Sequence, residues 1–135
     1  MKEREVTVRG EYMLRLERGE DVLPSIVDFC KRKGIMSASF RAIGAVEQSK
    51  IGFYDLYKKE YGSKMYPDAM EVVSMIGNVA QVDGAPFVHT HAALSGIKAG
   101  TENQPLGGQV FAAKLPATRE INVGALNENM GAATR

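Results

Sequence analysis

Tryptophan is absent from this 135-residue sequence, cysteine occurs once and histidine twice. Aromatic residues make up only 7%, so a core has to be assembled from Val, Ile, Leu, Met and Ala. A single cysteine, Cys30, excludes an internal disulfide and fits a reducing compartment. It lies in an apolar helical pattern, which makes it a small core residue rather than a nucleophile. No apolar run approaches the ~18 residues that a membrane-spanning helix needs. Met1 to Arg9 is charged and lacks the apolar centre of a signal peptide, so a cytoplasmic address with no membrane partner is expected. Charge of one sign is also lacking: 17 Lys and Arg against 16 Asp and Glu leave a net charge of +1. A protein built to lie along a phosphate backbone carries a basic excess or stripe, so a nucleic-acid surface here has to come from local clustering or assembly. The clearest cluster is Lys31-Arg32-Lys33, followed by Arg41. A basic run at a helix C-terminus also simply favours the helix dipole.

What is present fits one globular domain. The length suits a single core burying roughly two-thirds of the unfolded surface, and 44% hydrophobic with 24% charged residues is ordinary for such a domain. Tyr12, Leu14 and Leu16 alternate with Met13 and Arg15, which predicts a strand over Glu11 to Leu16. Asp21 then reads as an N-cap, and Pro24 is tolerated in a first turn. Val22, Leu23, Ile26, Val27, Phe29 and Cys30 recur at helical spacing, with Lys31 to Lys33 closing the helix and Gly34 following as its C-terminal glycine. Further strands are predicted over Met36 to Val46, Ile51 to Tyr57, Tyr57 to Tyr61, Glu71 to Val79, Pro86 to Leu94, Val110 to Ala113 and Glu120 to Ala125. Asp83-Gly84 marks a turn, and loops are expected at Ser63 to Asp68 and Ser95 to Gly108. No linker, repeat or low-complexity segment divides the chain. The expectation is an α+β domain over residues 1–126, a mostly antiparallel sheet covered by one or two helices, with a flexible tail over 127–135. Many short strands leave edges to hide, and pairing between subunits is one way to hide them.

The candidate chemistry centres on His89-Thr90-His91. In a strand, residues i and i+2 share a face at about 6.5–7 Å, so two imidazoles can converge on one metal. Imidazole suits Zn²⁺ and similar divalent ions. A catalytic zinc usually has three protein ligands and a water, so the pair alone does not complete a site, and a half-exposed strand with two unliganded histidines has the same pattern. Gly107-Gly108-Gln109 allows a close backbone approach or a sharp turn, and Gln109 could face the same cavity. Glu71 is a general acid or base only if it faces the histidines; otherwise it is a solvated edge charge. No phosphate loop, dinucleotide fingerprint or Ser-His-Asp set is present.

Five blocks in order resemble a known family. Tyr12 to Val22, Ser37-Ala38-Ser39-Phe40 with Ile43-Gly44-Ala45-Val46, Glu71 to Asn78, Asp83 to Ala92, and Leu106-Gly107-Gly108 together resemble the plants and prokaryotes conserved (PPC) domain, from about Tyr12 to Val123. The resemblance implies a mostly antiparallel sheet, few helices and a homotrimer. It also implies a DNA-binding role: plant members sit beside AT-hook motifs, and free-standing prokaryotic members are generally labelled DNA-binding. This sequence has no Arg-Gly-Arg-Pro hook. The fold also resembles that of acetolactate decarboxylase, a zinc enzyme with a His-x-His pair and a third His. Many prokaryotic PPC domains place that third His directly after the Gly-Gly pair, where this chain has Gln109. What carries over is a divalent metal, zinc foremost, on His89 and His91, with Gln109 in the third position. The alternative to a DNA-binding role is then a zinc-dependent enzyme or metabolite-binding protein for a small carboxylated or keto compound, with Arg41 or Glu71 as possible assistants.

Overall fold

A computed structural model describes residues 1–96, 105–117 and 119–127. Within them the order is β1 (Val8–Leu16), α1 (Val22–Lys33), β2 (Ala38–Asp55), β3 (Glu60–Tyr66), β4 (Met70–Val82), β5 (Ala85–Gly96), β6 (Pro105–Lys114) and β7 (Arg119–Leu126). All strand pairings are antiparallel, in the sheet order β1-β7-β2-β4-β5-β6. β3 pairs with β2, and β2 also pairs with β6, so β2, β4, β5 and β6 form a closed ring. The α+β expectation holds, and α1 is the one helix among the described residues.

The helix forms as its pattern predicts. Val22, Ile26, Phe29 and Cys30 are its buried stripe, and it packs against β5 and β6. Gly34 takes a left-handed conformation, φ 64°, which a glycine adopts without steric cost. That turn lets Ile35 N–H donate back to the Cys30 carbonyl at 2.9 Å and closes the helix end. Asp21 does occupy the N-cap position, but its side chain caps nothing in the helix. Its Oδ1 instead accepts from Ala113 N–H at 3.3 Å, tying the helix start to β6. Cys30 is fully buried, and burial pushes its thiol above the ordinary range, as expected of a core residue.

Three expectations are corrected. Ser63 to Asp68, expected as a loop, lies largely in β3, which runs to Tyr66 and pairs with β2 from Ser49↔Tyr66 to Asp55↔Glu60. Tyr61, Lys64 and Met65 face solvent there, so the segment lacks the apolar alternation that reveals a half-buried strand. The loop expected over Ser95 to Gly108 is strand at both ends, since β5 continues to Gly96 and β6 begins at Pro105; residues 97–104 lie outside the described residues. Ala38 to Val46 and Ile51 to Asp55, expected as parts of two strands, merge into the single 18-residue strand β2, and residues 56–59 turn where strand was expected. Asn127, placed by the sequence at the start of the tail, exchanges two 3.0 Å hydrogen bonds with Thr7. The rest of that tail is outside the described residues. No described helix is long and apolar enough to cross a membrane.

The core joins α1 to one face of the sheet through Leu16, Phe40, Val46, Met75, Leu94, Val110, Ile121 and Val123. β2 changes partners midway, near Gln48, whose φ of 49° is unusual for a residue with a Cβ. Before it β2 lies between β7 and β4; after it, between β6 and β3. The backbones crowd in this second half. A Cβ on Gly52 would overlap the Gly62 carbonyl oxygen, and one on Gly108 would sit 2.7 Å from the Gly52 carbonyl oxygen. A Cβ on Gly107 meets nothing closer than 3.7 Å. Gly52→Ala and Gly108→Ala are each expected to destabilise the fold by about 2–3 kcal/mol through overpacking. Gly107→Ala should stay within about 0.5 kcal/mol. Urea midpoints for the three variants check this ordering.

Candidate functional site

The strand alternation that separates Thr90 from its neighbours builds the site. Val88, Thr90, Ala92 and Leu94 point into the core. Thr90 is satisfied there, donating its hydroxyl to the Ile76 carbonyl at 2.8 Å. His89 and His91 therefore emerge together on the opposite, open face. Their rings lie 5.1 Å apart between centroids at an interplanar angle of 72°, and their Nε2 atoms are 3.2 Å apart. Two nitrogens bound to one tetrahedral zinc at ~2.0–2.1 Å would be separated by about 3.3 Å. The pair is thus spaced as two ligands of one ion. The same distance also suits an imidazole–imidazole hydrogen bond, with one Nε2–H donating to the other nitrogen.

Register places the remaining residues. Met13, Asn122, Arg41, Ile76, His91 and Gln109 stand directly opposite one another across β1, β7, β2, β4, β5 and β6. The next row is Glu11, Gly124, Ser39, Asn78 and His89. Directly opposite residues share a face. All of the second row and the middle of the first, from Asn122 to His91, line an open cavity of about 500 Å³ that includes Arg41, Asn78, His89, His91 and Asn122. Gln109, expected from the sequence to face the same cavity, stands opposite His91 but is buried and does not line that cavity. Glu71 is opposite Ser95 and belongs to an adjoining groove, away from the histidines. Arg41 lines both spaces. Sequence reasoning missed Asn78, Ile76 and Asn122, because cross-strand partners far apart in the chain leave no local signal. Their placement on the open strand face is the one feature that periodicity could have given.

Among the described residues no three His, Cys, Asp or Glu side chains gather as a metal site. The donors able to hold an ion are His89 and His91, with the amides of Gln109 and Asn78 the nearest by register. The basic run on α1 is partly spent locally, since Arg32 donates to Asp28 one turn earlier at 2.9 Å.

A family model for the Plants and Prokaryotes Conserved (PCC) domain matches residues 3–127. A metal-containing protein from Archaeoglobus fulgidus is 38% identical, with TM-score 0.85, over 96% of this chain and 88% of its own. A plant- and prokaryote-conserved (PPC) protein from Pyrococcus horikoshii is 32% identical, with TM-score 0.89, over 100% of this chain and 92% of its own. A candidate DNA-binding protein from Ralstonia eutropha is 29% identical, with TM-score 0.78, over 87% and 79% of the two chains. No curated protein matches the chain. The resemblance drawn from the five sequence blocks is borne out: this chain belongs to the Plants and Prokaryotes Conserved domain family.

Proposed function

We propose that this chain is a metal-binding member of its family, holding a divalent cation, zinc foremost, on His89 and His91 with Gln109 as the weak third donor. The observation that carries the reading is the 3.2 Å separation of the two Nε2 atoms on an open face. The metal-containing description of the 38%-identical archaeal relative supports it. Bound there, the ion would supply Lewis-acid polarisation of a ligand oxygen. Imidazole is a much better ligand than a carboxamide oxygen for such an ion. In zinc calorimetry the wild type is expected to take up one ion per chain. His89→Ala and His91→Ala should each weaken uptake about a hundredfold, and Gln109→Ala by less than about tenfold. The histidines sit on the open face, so these variants keep the core. Uptake indifferent to both histidines, or no uptake at all, overturns the reading.

The functional unit is proposed as a homotrimer assembled through the open sheet face. Met13, Ile43, Val73 and Ile76 are each more than 60% exposed there and line the adjoining groove of about 1020 Å³. Apolar patches of this kind mark interaction surfaces. A second copy of the chain is the occupant favoured here, because the family resemblance carries a closed cyclic assembly. Light scattering behind a sizing column should give three chain masses, shifting to one for Ile43→Lys. A wild-type monomer at micromolar concentration overturns the trimer.

A DNA-binding role is the second reading. It is favoured by the description of the 29%-identical Ralstonia relative, and the net charge of +1 weighs against it. Duplex binding, if it occurs, should be weak and steeply salt-dependent, and fluorescence anisotropy without binding at ~50 mM salt ends this reading.

A further inference from the structure

We infer that the β2–β3 hairpin and the surface leading from it to α1 bind single-stranded nucleic acid, with bases stacked on Tyr54 and Tyr61 and phosphates held by lysines. The first observation is where the exposed rings are. The chain has five Tyr and five Phe. Every one that is exposed, Phe53, Tyr54, Tyr57 and Tyr61, lies between Lys50 and Tyr66. Tyr57, at the hairpin tip, is 99% exposed. Exposed aromatic rings gathered in one place mark an interaction surface. Tyr54 stands directly opposite Tyr61, with ring centroids 5.0 Å apart at 60°. Tyr61 meets Phe111 of β6 in the same edge-to-face way, at 5.5 Å and 88°. Rings from three adjacent strands thus form one platform. Phe111 also lines a groove of about 430 Å³ between α1 and β5, together with Leu23, Val27, Lys31 and Phe87. The surface therefore runs on from the hairpin to the basic end of α1. None of these residues lines the histidine cavity or the groove beside it.

The second observation is charge. The whole chain carries a net +1, whereas the hairpin sets Lys50, Lys58, Lys59 and Lys64 against Asp55 and Glu60. Asp55 is engaged by the backbone. Its Oδ1 accepts from Tyr57 N–H at 2.9 Å and from Lys58 N–H at 3.0 Å, which holds the tip. Lys58 and Lys59 are exposed at that tip, and Lys50 shares the face of Tyr54 by strand alternation. Lys64 lies on the other face, over the Tyr66 ring at 5.1 Å. This is the local basic clustering that a nearly neutral chain needs in order to hold phosphate. Among the described residues β3 pairs with β2 alone, so Lys64 also discourages strand pairing at that edge. The rings have no such use. A duplex hides the faces of its bases within its own stack, whereas an unpaired strand offers them to aromatic side chains. Stacking supplies affinity that a net charge of +1 does not, so this surface suits a single strand better than a duplex. Binding of a single strand here depends on neither the metal nor duplex binding.

The probe is a fluorescently labelled oligothymidylate of about twelve nucleotides, titrated by anisotropy at ~50 mM salt, with a duplex of the same length as comparison. The wild type is expected to bind the single strand more tightly than the duplex. Tyr54→Ala and Tyr61→Ala should each weaken single-strand binding about tenfold, and Tyr54→Phe, which keeps the ring, less than about twofold. Lys58→Gln with Lys59→Gln, at the exposed tip, leaves the core untouched; it should weaken binding at least about fivefold and flatten its salt dependence. Lys2→Gln with Arg9→Gln removes the same charge from exposed positions elsewhere and should change affinity less than about twofold. Urea midpoints and light scattering check that the tyrosine variants keep their fold and chain mass, and the tip variant decides alone if they do not fold. The inference is overturned by affinity indifferent to the tip lysines or to both tyrosines, or by an equal loss in the Lys2 and Arg9 variant. A lower mass for folded Tyr54→Ala also overturns it, since the face then belongs to a second copy of the chain. Duplex binding at least as tight as single-strand binding overturns it and leaves the duplex reading standing. Single-strand binding without duplex binding upholds it and ends the duplex reading, and binding of neither removes both.

Discussion

β2 has to serve two sets of partners, and the rest of the architecture depends on how it does so. Its first half is flanked by β7 and β4, its second by β6 and β3. A strand cannot change neighbours on both sides without bending, and the bend falls near Gln48, with register shifts against β6 just beyond it. The change allows β6 to bond β2 on one side and β5 on the other, which closes the four-strand ring. Closure removes edges that would otherwise invite uncontrolled pairing. It also forces close backbone approach, and Gly52 and Gly108 are the residues that permit it. The Gly107-Gly108 pair thus has a structural use: Gly108 abuts the Gly52 carbonyl.

That closure also determines what the open face presents. β5 is held between β4 and β6, so the core side of the strand is fixed by Val88, Thr90, Ala92 and Leu94. Thr90 is a polar residue in this core-facing set, and its hydroxyl is satisfied by the Ile76 carbonyl. Gly77 beside it leaves space for the Phe40 ring, since a Cβ there would also come within 2.8 Å of the Thr90 Cβ. With Thr90 anchored, the two histidines have only the other face available. The apolar side chains that share that face, Met13, Ile43, Val73 and Ile76, set this surface apart from an ordinary solvated sheet.

Much of the fold was legible because burial has a period. The stripe Val22, Ile26, Phe29, Cys30 is a helix by spacing and a helix in the structure. The alternation around His89 and His91 placed both rings on one face. β3 was missed because Tyr61, Lys64 and Met65 are exposed, so burial leaves no alternating mark. The two halves of β2 were read as separate strands because the polar residues Glu47, Gln48, Ser49 and Lys50 interrupt the pattern. Of the site, the histidine pair was legible and Arg41's place was not. The latter depends on which strand lies two places away in the sheet.

By itself, the sequence determined the period-two and period-3.6 faces, the helix and its glycine end, the placing of both histidines on one face of β5, and the family. These follow from local geometry and the order of blocks along the chain. Tertiary structure alone decided the closed ring, the row running Met13, Asn122, Arg41, Ile76, His91 and Gln109, and the exclusion of Glu71 from the histidine cavity. The physical reason is that cross-strand register is a relation between distant segments. It is fixed by the packing of both sheet faces and by where backbones can touch, and no window of the chain contains it.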